Sequence, residues 1–294
     1  MLKTITPLRL IPFLLLFSVI GAWVSISSCS KPAPIPAYIH IDSVALHTLP
    51  ALDGSNSHNI PDAWVFVDDQ LVGAFELPAT IPVPQTGVHT LSIAAGIKEN
   101  GSSSERQAYP FYQNWSTTIN LVPESRTVIK PLVTYLPSSR PFDWKEDFEG
   151  VGISIIDTLS PTDTKFIKDS VNKFEGHYGG SAYLDPFASP AQTHFECESA
   201  TAFLRPPEGL EVYLEINFKC NNEFYLGLLN TTNYQSIIYV TFLPTTTWKK
   251  MYVRLTDVLA GITQGGTYRI FFGMNADPAV ARPEMHIDNI KLIH

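Results

Sequence analysis

The second half of the chain is built from short runs in which apolar and polar residues alternate. In residues 210–219, Val212, Leu214, Ile216 and Phe218 share one face of an extended strand, and polar residues share the other. This alternation predicts a strand with one buried side and one solvent-facing side. Comparable runs lie at 145–149, 181–184, 194–203, 224–229, 236–242, 248–255, 268–272 and 285–293. Together they predict a two-sheet jelly roll whose last strand closes beside its first.

The first half carries its own set of alternating runs. Residues 63–67 and 71–76 flank the polar turn Asp68-Asp69-Gln70, which predicts a β-hairpin. Further strands are predicted at 38–44, 87–97, 116–122 and 126–135. The hinge Pro137-Ser138-Ser139-Arg140-Pro141 then marks a boundary. The chain is therefore predicted to be all-β, with an immunoglobulin-like β-sandwich at 38–136, a linker at 137–143 and a jelly-roll β-sandwich at 144–294.

An export signal precedes both units. Lys3 and Arg9 give a positive start, an apolar run covers residues 10–20, and small residues lead into Cys29. The apolar run is shorter than the roughly 20 residues that span a bilayer. Ser27-Ser28-Cys29 resembles a bacterial lipoprotein box, in which the signal is cut before the cysteine and the thiol carries a diacylglycerol. An ordinary signal with an incidental cysteine is the alternative.

The lipoprotein resemblance implies a signal peptide at 1–28, a lipid anchor on Cys29 and a Pro-rich tether at 29–37. In some lipoproteins of the Bacteroidota, acidic residues just after the cysteine direct the protein to the outer face. Here no acidic residue follows before Asp42. The resemblance therefore favours the outer membrane, with the periplasmic face preferred to the cell surface.

The charge of the chain excludes one class of partner. Without Lys3 and Arg9, the 20 basic residues fall to 18 against 28 acidic residues, a net charge of about −10. Nucleic acid binding requires a basic surface, so a nucleic acid partner is not expected.

Two cysteines follow the anchor, Cys197 and Cys220, each among apolar strand residues. An exported compartment permits a disulfide between them. Two separately buried thiols are the alternative. The spacing of the cysteines and histidines matches no metal motif of the CxxC or HExxH type.

Each unit resembles a known class of β-sandwich. Residues 64–73, 77–80 and 87–93 resemble the PEGA-type and carboxypeptidase-regulatory-like modules, a likeness that implies fold and not activity. Residues 147–150, 248–253 and 287–290 resemble the jelly-roll carbohydrate-binding modules. In many such modules acidic residues of the first and last strands hold a structural calcium, which implies Glu149 and Asp288 as ligands here. Two solvated carboxylates are the alternative.

Aromatic residues are the candidate binding groups. The segment 108–115 contains four aromatic rings in eight residues: Tyr109, Phe111, Tyr112 and Trp115. These rings form either a binding edge or part of the sandwich core. In the second unit the candidates are the strand tyrosines Tyr213, Tyr225, Tyr234 and Tyr239.

The sequence offers no catalytic motif. Glu196 and Glu198 place two acids on one strand face, but the Glu-x-Asp-x-Glu signature of retaining glucanases is missing. A Gly-x-Ser-x-Gly elbow and a Walker loop are also missing. The protein is therefore predicted not to be an enzyme.

Two binding functions remain. The main hypothesis is an interaction or scaffold lipoprotein that docks an outer-membrane protein partner through the aromatic segment or the loops of the second unit. The alternative is a glycan-binding lipoprotein that stacks sugars on the tyrosines of the jelly roll. No cofactor is expected beyond the calcium that the resemblance implies.

Three short motifs match the Asp-Ser/Thr-apolar acceptor of O-glycosylation in the Bacteroidota. They predict glycans on Ser43, Thr158 and Ser170. Such modification would fit an exported protein.

Overall fold

The computed structural model describes residues 34–158 and 164–294. The predicted signal peptide and the lipidation site Cys29 lie outside the described residues, as does most of the tether. Within the described ranges, no helix is long and apolar enough to cross a bilayer.

The first unit consists of three small antiparallel and mixed sheets. Their orders are β10-β1-β5, β2-β11-β8 and β4-β3-β6-β7, with β9 also paired to β6. A short helix α1 (Pro50–Asp53) and a 3₁₀ turn (Pro137–Ser139) accompany them. The strands are β1 (Ala37–Ile41), β2 (Ala45–His47), β3 (Asp62–Val67), β4 (Gln70–Glu76), β5 (Ala79–Val83), β6 (Gly87–Lys98), β7 (Arg106–Ala108), β8 (Tyr112–Gln113), β9 (Trp115–Leu121), β10 (Arg126–Ile129) and β11 (Leu132–Tyr135).

The predicted hairpin is confirmed by the pairing of β3 with β4. Asp68 and Asp69 both have positive φ values, 48° and 63°, as a two-residue hairpin turn requires. The Asp68 carboxylate accepts a hydrogen bond from the Thr90 backbone N–H at 2.9 Å. It also lies 2.6 Å from His89 Nδ1, so it ties the turn to the following strand β6.

The second unit is a sandwich of two six-stranded sheets. Sheet one has the order β14-β15-β23-β18-β21 with β12 on β23, and sheet two has the order β13-β16-β22-β19-β20 with β17 on β22. A short helix α2 (Thr256–Leu259) follows β21. The strands are β12 (Trp144–Glu146), β13 (Ile155–Asp157), β14 (Ile167–Asp169), β15 (Gly179–Tyr183), β16 (His194–Ser199), β17 (Phe203–Leu204), β18 (Tyr213–Cys220), β19 (Phe224–Asn230), β20 (Gln235–Phe242), β21 (Thr245–Arg254), β22 (Thr267–Asn275) and β23 (Glu284–Ile293).

The predicted fold class, all-β with two successive sandwiches, is confirmed. The first strand of the second unit pairs with the last, β12 with β23, as the jelly-roll prediction requires. Between the sheets lies one apolar core that includes Phe195, Phe224, Phe242 and Phe272, all fully buried. Each alternating run buries its apolar face here, which is the main stabilising term of this unit.

One predicted strand face is wrong. The polar side of β18 was expected to face water, but Tyr213, Glu215 and Asn217 on that side are buried. The first unit packs against the part of the outer face of sheet one that contains Tyr213, Glu215 and Asn217. Tyr213, Tyr252 and Ile293 of the second unit belong to the same apolar cluster as the core of the first unit.

The aromatic segment forms this interface, so of its two alternatives, a binding edge or part of the core, the structure has the buried one. Tyr109, Phe111 and Tyr112 are all buried. The Tyr109 ring meets Tyr213 edge-on at a centroid distance of 5.3 Å and Tyr252 at 4.9 Å. Tyrosines suit this position because the ring buries a large apolar area while its hydroxyl hydrogen-bonds to polar groups of the facing sheet, as Tyr109 does to Glu215. Trp115 is partly buried against the first unit's core.

A buried charge lies at the centre of the interface. Glu215 is fully buried and forms an ion pair with Lys250 at 3.0 Å. Its carboxylate also accepts hydrogen bonds from the hydroxyls of Tyr109 and Tyr135, each at 2.9 Å. Lys291 donates to Tyr135 Oη at 3.1 Å and to the Ser55 carbonyl at 2.7 Å. Burial by itself raises the pKa of Glu215, but the two lysines and the donated hydrogen bonds hold that pKa below its ordinary value.

Of the two alternatives for the cysteines, a disulfide or two separately buried thiols, the structure has the buried thiols. Cys197 and Cys220 are free and buried. Cys197 lies on β16 of sheet two and Cys220 on β18 of sheet one, where its Sγ donates to the Leu243 carbonyl at 3.4 Å. Both thiols pack in the apolar core as small hydrophobic side chains.

We expect Glu215→Gln to lower the free energy of unfolding by about 3–5 kcal/mol, because it leaves Lys250 buried without its ion-pair partner and removes one of the negative charges near the buried Lys291. The pKa of Glu215 is lower in the folded state than the ordinary 4.5, so its stabilisation is complete above that pH. The stabilisation is lost as the pH falls through the folded-state pKa. Urea unfolding at several pH values measures both effects, and exposed Glu105→Gln serves as the matched control. Equal stability of the Glu215 and Glu105 variants at pH 7 would contradict this account.

Candidate functional site

Sheet two carries the outer face that the first unit leaves uncovered. On β19 the side chains of Phe224, Leu226 and Leu228 enter the core, so Tyr225 and Gly227 lie on the outer side. On β22 the same alternation puts Arg269, Phe271 and Gly273 on the outer side, and on β16 it puts out His194, Glu196 and Glu198. We call this surface the open face. It consists of His194, Glu196, Glu198, Tyr225, Gly227, Arg269, Phe271, Gly273 and Asn275, with Ile156, Ile238 and Thr241 at its edges.

The strand register arranges the open face in rows. One row runs Glu196, Gly273, Tyr225 and Thr241 across β16, β22, β19 and β20. The next row runs Ile156, Glu198, Phe271, Gly227 and Ile238. Neighbouring residues in a row lie about 5 Å apart, so each row brings an acid, an aromatic ring and a glycine together.

Two glycines leave room for the two aromatic rings on this side of the sheet. A Cβ added at Gly273 would overlap the Tyr225 ring, and one added at Gly227 would overlap the Phe271 ring. The antiparallel pairing therefore places each ring over the glycine of the other strand. The two rings meet edge-on, with centroids 6.2 Å apart and planes at 76°. Phe271 is almost fully buried and Tyr225 partly exposed, so Tyr225 is the ring available to a ligand.

The carboxylates of the open face differ in their partners. Glu198 accepts a hydrogen bond from Arg269 Nη1 at 3.0 Å, and the same nitrogen donates to the Ser199 carbonyl at 3.0 Å. Within the part of the chain that the structure describes, the Glu196 carboxylate has no hydrogen-bond or ion-pair partner. Burial raises the pKa of Glu196, and burial together with the charge of Glu196 raises the pKa of Tyr225 to about 12.

This arrangement suits a ligand with one apolar face and many hydroxyls. A flat ring with an exposed side can stack on the C–H face of such a ligand. A carboxylate accepts hydrogen bonds only, so Glu196 can receive two hydroxyl donors. His194, whose Nδ1 lies 3.0 Å from Asn275 Oδ1, adds polar groups at the end of β16.

Of the tyrosines predicted in the second unit, only Tyr225 lies on the open face. Tyr213 is buried beneath the first unit, which corrects its prediction as a binding residue. Tyr239 is partly buried against the core of the second unit. Tyr234 lies in the turn between β19 and β20, with 75% of its surface exposed.

Sequence reasoning missed Phe271, Arg269 and the two glycines. A signal for them exists, because Tyr225-Leu226-Gly227 and Phe271-Phe272-Gly273 share an aromatic-x-Gly pattern on two alternating strands. When such strands pair antiparallel in this register, each ring faces the glycine of its partner. The pairing itself, β19 with β22, could not be derived from the pattern.

The two residues predicted to hold calcium bind the same loop. Glu149 Oε1 accepts the backbone N–H groups of His177 and Tyr178 at 2.7 and 2.9 Å. Asp288 Oδ2 accepts the N–H of Phe174 at 2.9 Å. Among the residues described, no group of three or more His, Cys, Asp or Glu side chains could hold a metal ion. Calcium therefore stays a prediction that the donor set here does not support.

The predicted glycosylation sites lie on loops of both units. Ser43 and Ser170 are exposed, and Thr158 is partly buried next to the residues that are not described. Their modification stays a prediction.

No known protein family and no curated protein matches the sequence. Similar solved structures include a family 22 carbohydrate-binding module of Clostridium thermocellum Xyn10B, at 12% identity and a TM-score of 0.36 over 52% of this chain and 92% of that one. Another is the family 11 carbohydrate-binding module of the C. thermocellum cellulase Lic26A-Cel5E, at 15% identity and a TM-score of 0.35 over 50% and 91%. A third comes from a study of carbohydrate-binding modules of the β-sandwich superfamily. It is 10% identical, with a TM-score of 0.36 over 79% of this chain and 85% of that one. Because these TM-scores are below 0.5, the similar structures do not indicate the function of this chain, which has to be inferred from its own residues.

We expect Gly273→Ala to displace the Tyr225 ring, because the added methyl group would occupy the space beneath it. The ring signals of Tyr225 in an NMR spectrum of tyrosine-labelled protein should shift, with Tyr225→Phe providing the assignment. Gly152→Ala is the matched control, since nothing lies within 4 Å of a Cβ at that position. Unchanged Tyr225 signals in Gly273→Ala would show that the ring does not lie over Gly273.

Proposed function

We propose that the protein is a non-catalytic glycan-binding protein that holds sugar on the open face. The observation that supports this most is the Tyr225 ring, which lies over Gly273 in the same row as the Glu196 carboxylate, for which the described residues provide no hydrogen-bond or ion-pair partner. Sugar recognition combines stacking on an aromatic face with a few polar groups that fix orientation. Both elements are built on paired strands, so their geometry is set by the sheet.

The aromatic segment at 108–115, one of the surfaces that the scaffold hypothesis requires, is not free to dock another protein. A docking site for another protein needs an exposed apolar patch, commonly burying 1,200 Å² or more in total. The contact between the two units instead buries Tyr109, Phe111 and Tyr112. Glycan binding therefore replaces protein docking as the preferred function.

The acids of the open face favour binding over hydrolysis. Glycosidases use two carboxylates that flank the scissile bond and play separate roles. Glu198 is buried and held by Arg269, which leaves Glu196 as the accessible acid of the pair. One accessible acid can accept hydroxyl hydrogen bonds but does not supply an acid and a base.

We expect the full-length protein to bind at least one class of oligosaccharide on a glycan array. Tyr225→Ala should weaken that binding by at least about tenfold, or about 1.4 kcal/mol, because the stacking ring is removed. Isothermal titration with the strongest array ligand measures the change. Tyr178→Ala is the matched control, since Tyr178 is an exposed tyrosine before β15 of sheet one. A blank array, or equal loss in both variants, would refute binding at the open face.

For its location, we propose a lipid anchor on Cys29 in the outer membrane, with the Pro-rich residues up to 37 as a spacer. The order of charge, apolar run and Ser27-Ser28-Cys29 supports this. We expect Cys29→Ser to abolish incorporation of an alkyne-tagged fatty acid in cells, whereas Cys220→Ser should leave it unchanged. Labelling of the Cys29→Ser protein at the wild-type level would contradict the anchor.

A further inference from the structure

We propose that the open face takes uncharged glycans and rejects glycans that carry carboxylate or sulfate groups, and that Glu196 sets this choice. The assignment presupposes the glycan-binding function proposed above and names the charge class of the ligand.

Among the described residues, the open face has no arginine or lysine that is free to form an ion pair with an acidic sugar. Arg269 is its one arginine or lysine, and Glu198 already neutralises it at 3.0 Å, with the Ser199 carbonyl at the same distance. At the margin, Asp157 lies 3.9 Å from Lys165 Nζ, so that lysine also faces an acid. Counting histidine as neutral, the described residues of this surface carry a net charge of −1, which belongs to Glu196.

Glu196 stands where the ligand would lie. It is two strands from Tyr225, and the residue between them is Gly273, which has no side chain to separate them. The Tyr225 ring extends over Gly273 towards β16. A sugar stacked on this ring would therefore have its edge beside the Glu196 carboxylate.

The surroundings of Glu196 increase its effect. Among the residues that the structure describes, its charged and titratable neighbours are His194 and Glu198 on its own strand and Tyr225 across Gly273. The carboxylate is partly buried, so water screens its charge less than at a fully exposed site. A second negative charge on the ligand would meet weakly screened repulsion, whereas a hydroxyl would donate a hydrogen bond to the same oxygen.

The experiment compares sugars that differ only in charge. Suitable pairs are mannohexaose and hexameric mannuronate, and pectin oligomers with and without their methyl esters. Binding of the full-length wild type, Glu196→Gln and Glu208→Gln is measured by titration calorimetry near pH 7. Glu208 is exposed on the loop before β18 and serves as the matched control.

We expect the wild type to bind the uncharged member of a pair at least about tenfold more tightly than the charged member. Glu196→Gln should narrow that ratio severalfold, and Glu208→Gln should leave it unchanged. Added salt should also narrow the ratio in the wild type, because it screens the repulsion, and this readout does not depend on any variant folding correctly.

Three results would overturn the inference. Equal or tighter wild-type binding of uronates or sulfated glycans would refute the charge choice and leave glycan binding at the open face intact. A ratio that Glu196→Gln does not change would remove Glu196 as its cause. Failure of every glycan, charged or uncharged, to bind would refute the proposed function itself and this inference with it.

Discussion

The buried carboxylate of Glu215 is the interaction on which the arrangement of the two units depends. A fully buried charge is tolerated only when counter-charges and hydrogen bonds replace the water that it has lost. Lys250 comes from the same sheet, but the hydroxyls of Tyr109 and Tyr135 come from the first unit. The outer face of sheet one is therefore stable in this form only when the first unit covers it.

This contact decides which surface is left for function. It uses the most aromatic segment of the chain and covers part of one of the two outer faces of the jelly roll. The other face retains a ring over a glycine, an arginine–glutamate pair and Glu196, which has no ion-pair partner among the described residues; strand register fixes their positions. The first unit thus acts as a support that orients the open face. The short loop after β11 leaves the first unit little freedom, because Arg140 in this loop binds the buried carboxylate of Asp53 at 2.5 Å.

Local alternation predicted the elements well. The strand at Val212 to Phe218, the hairpin at Asp68-Asp69 and the pairing of the first and last strands of the second unit follow from residue periodicity and turn chemistry. β13 and β14 were missed, because strands of three residues each are too short for a period to show. Alternation also shows which residues share a strand face, but it does not show what packs against that face. The polar side of β18 was therefore predicted to face water, although the first unit buries it.

The candidate site was predictable only in part for the same reason. Tyr225 was named from its position on an alternating strand, but so were Tyr213 and Tyr239, and the sequence does not reveal which sheet face another domain covers. The seating of Tyr225 over Gly273 depends on pairing between strands more than 40 residues apart. The free thiols are a second example of what strand alternation does not show. Cys197 and Cys220 both lie on predicted strands, but the sequence does not show that these strands belong to different sheets.

The central claim is that sugar binds on the open face. Amide hydrogen exchange of the full-length protein, with and without a saturating array ligand, tests this most directly because it maps the protected backbone without any substitution. The account predicts slower exchange in β16, β19 and β22, around residues 194–199, 224–230 and 267–275, with no change in β8 or β18 at the interface. Protection confined to the interface strands or to the first unit would contradict it.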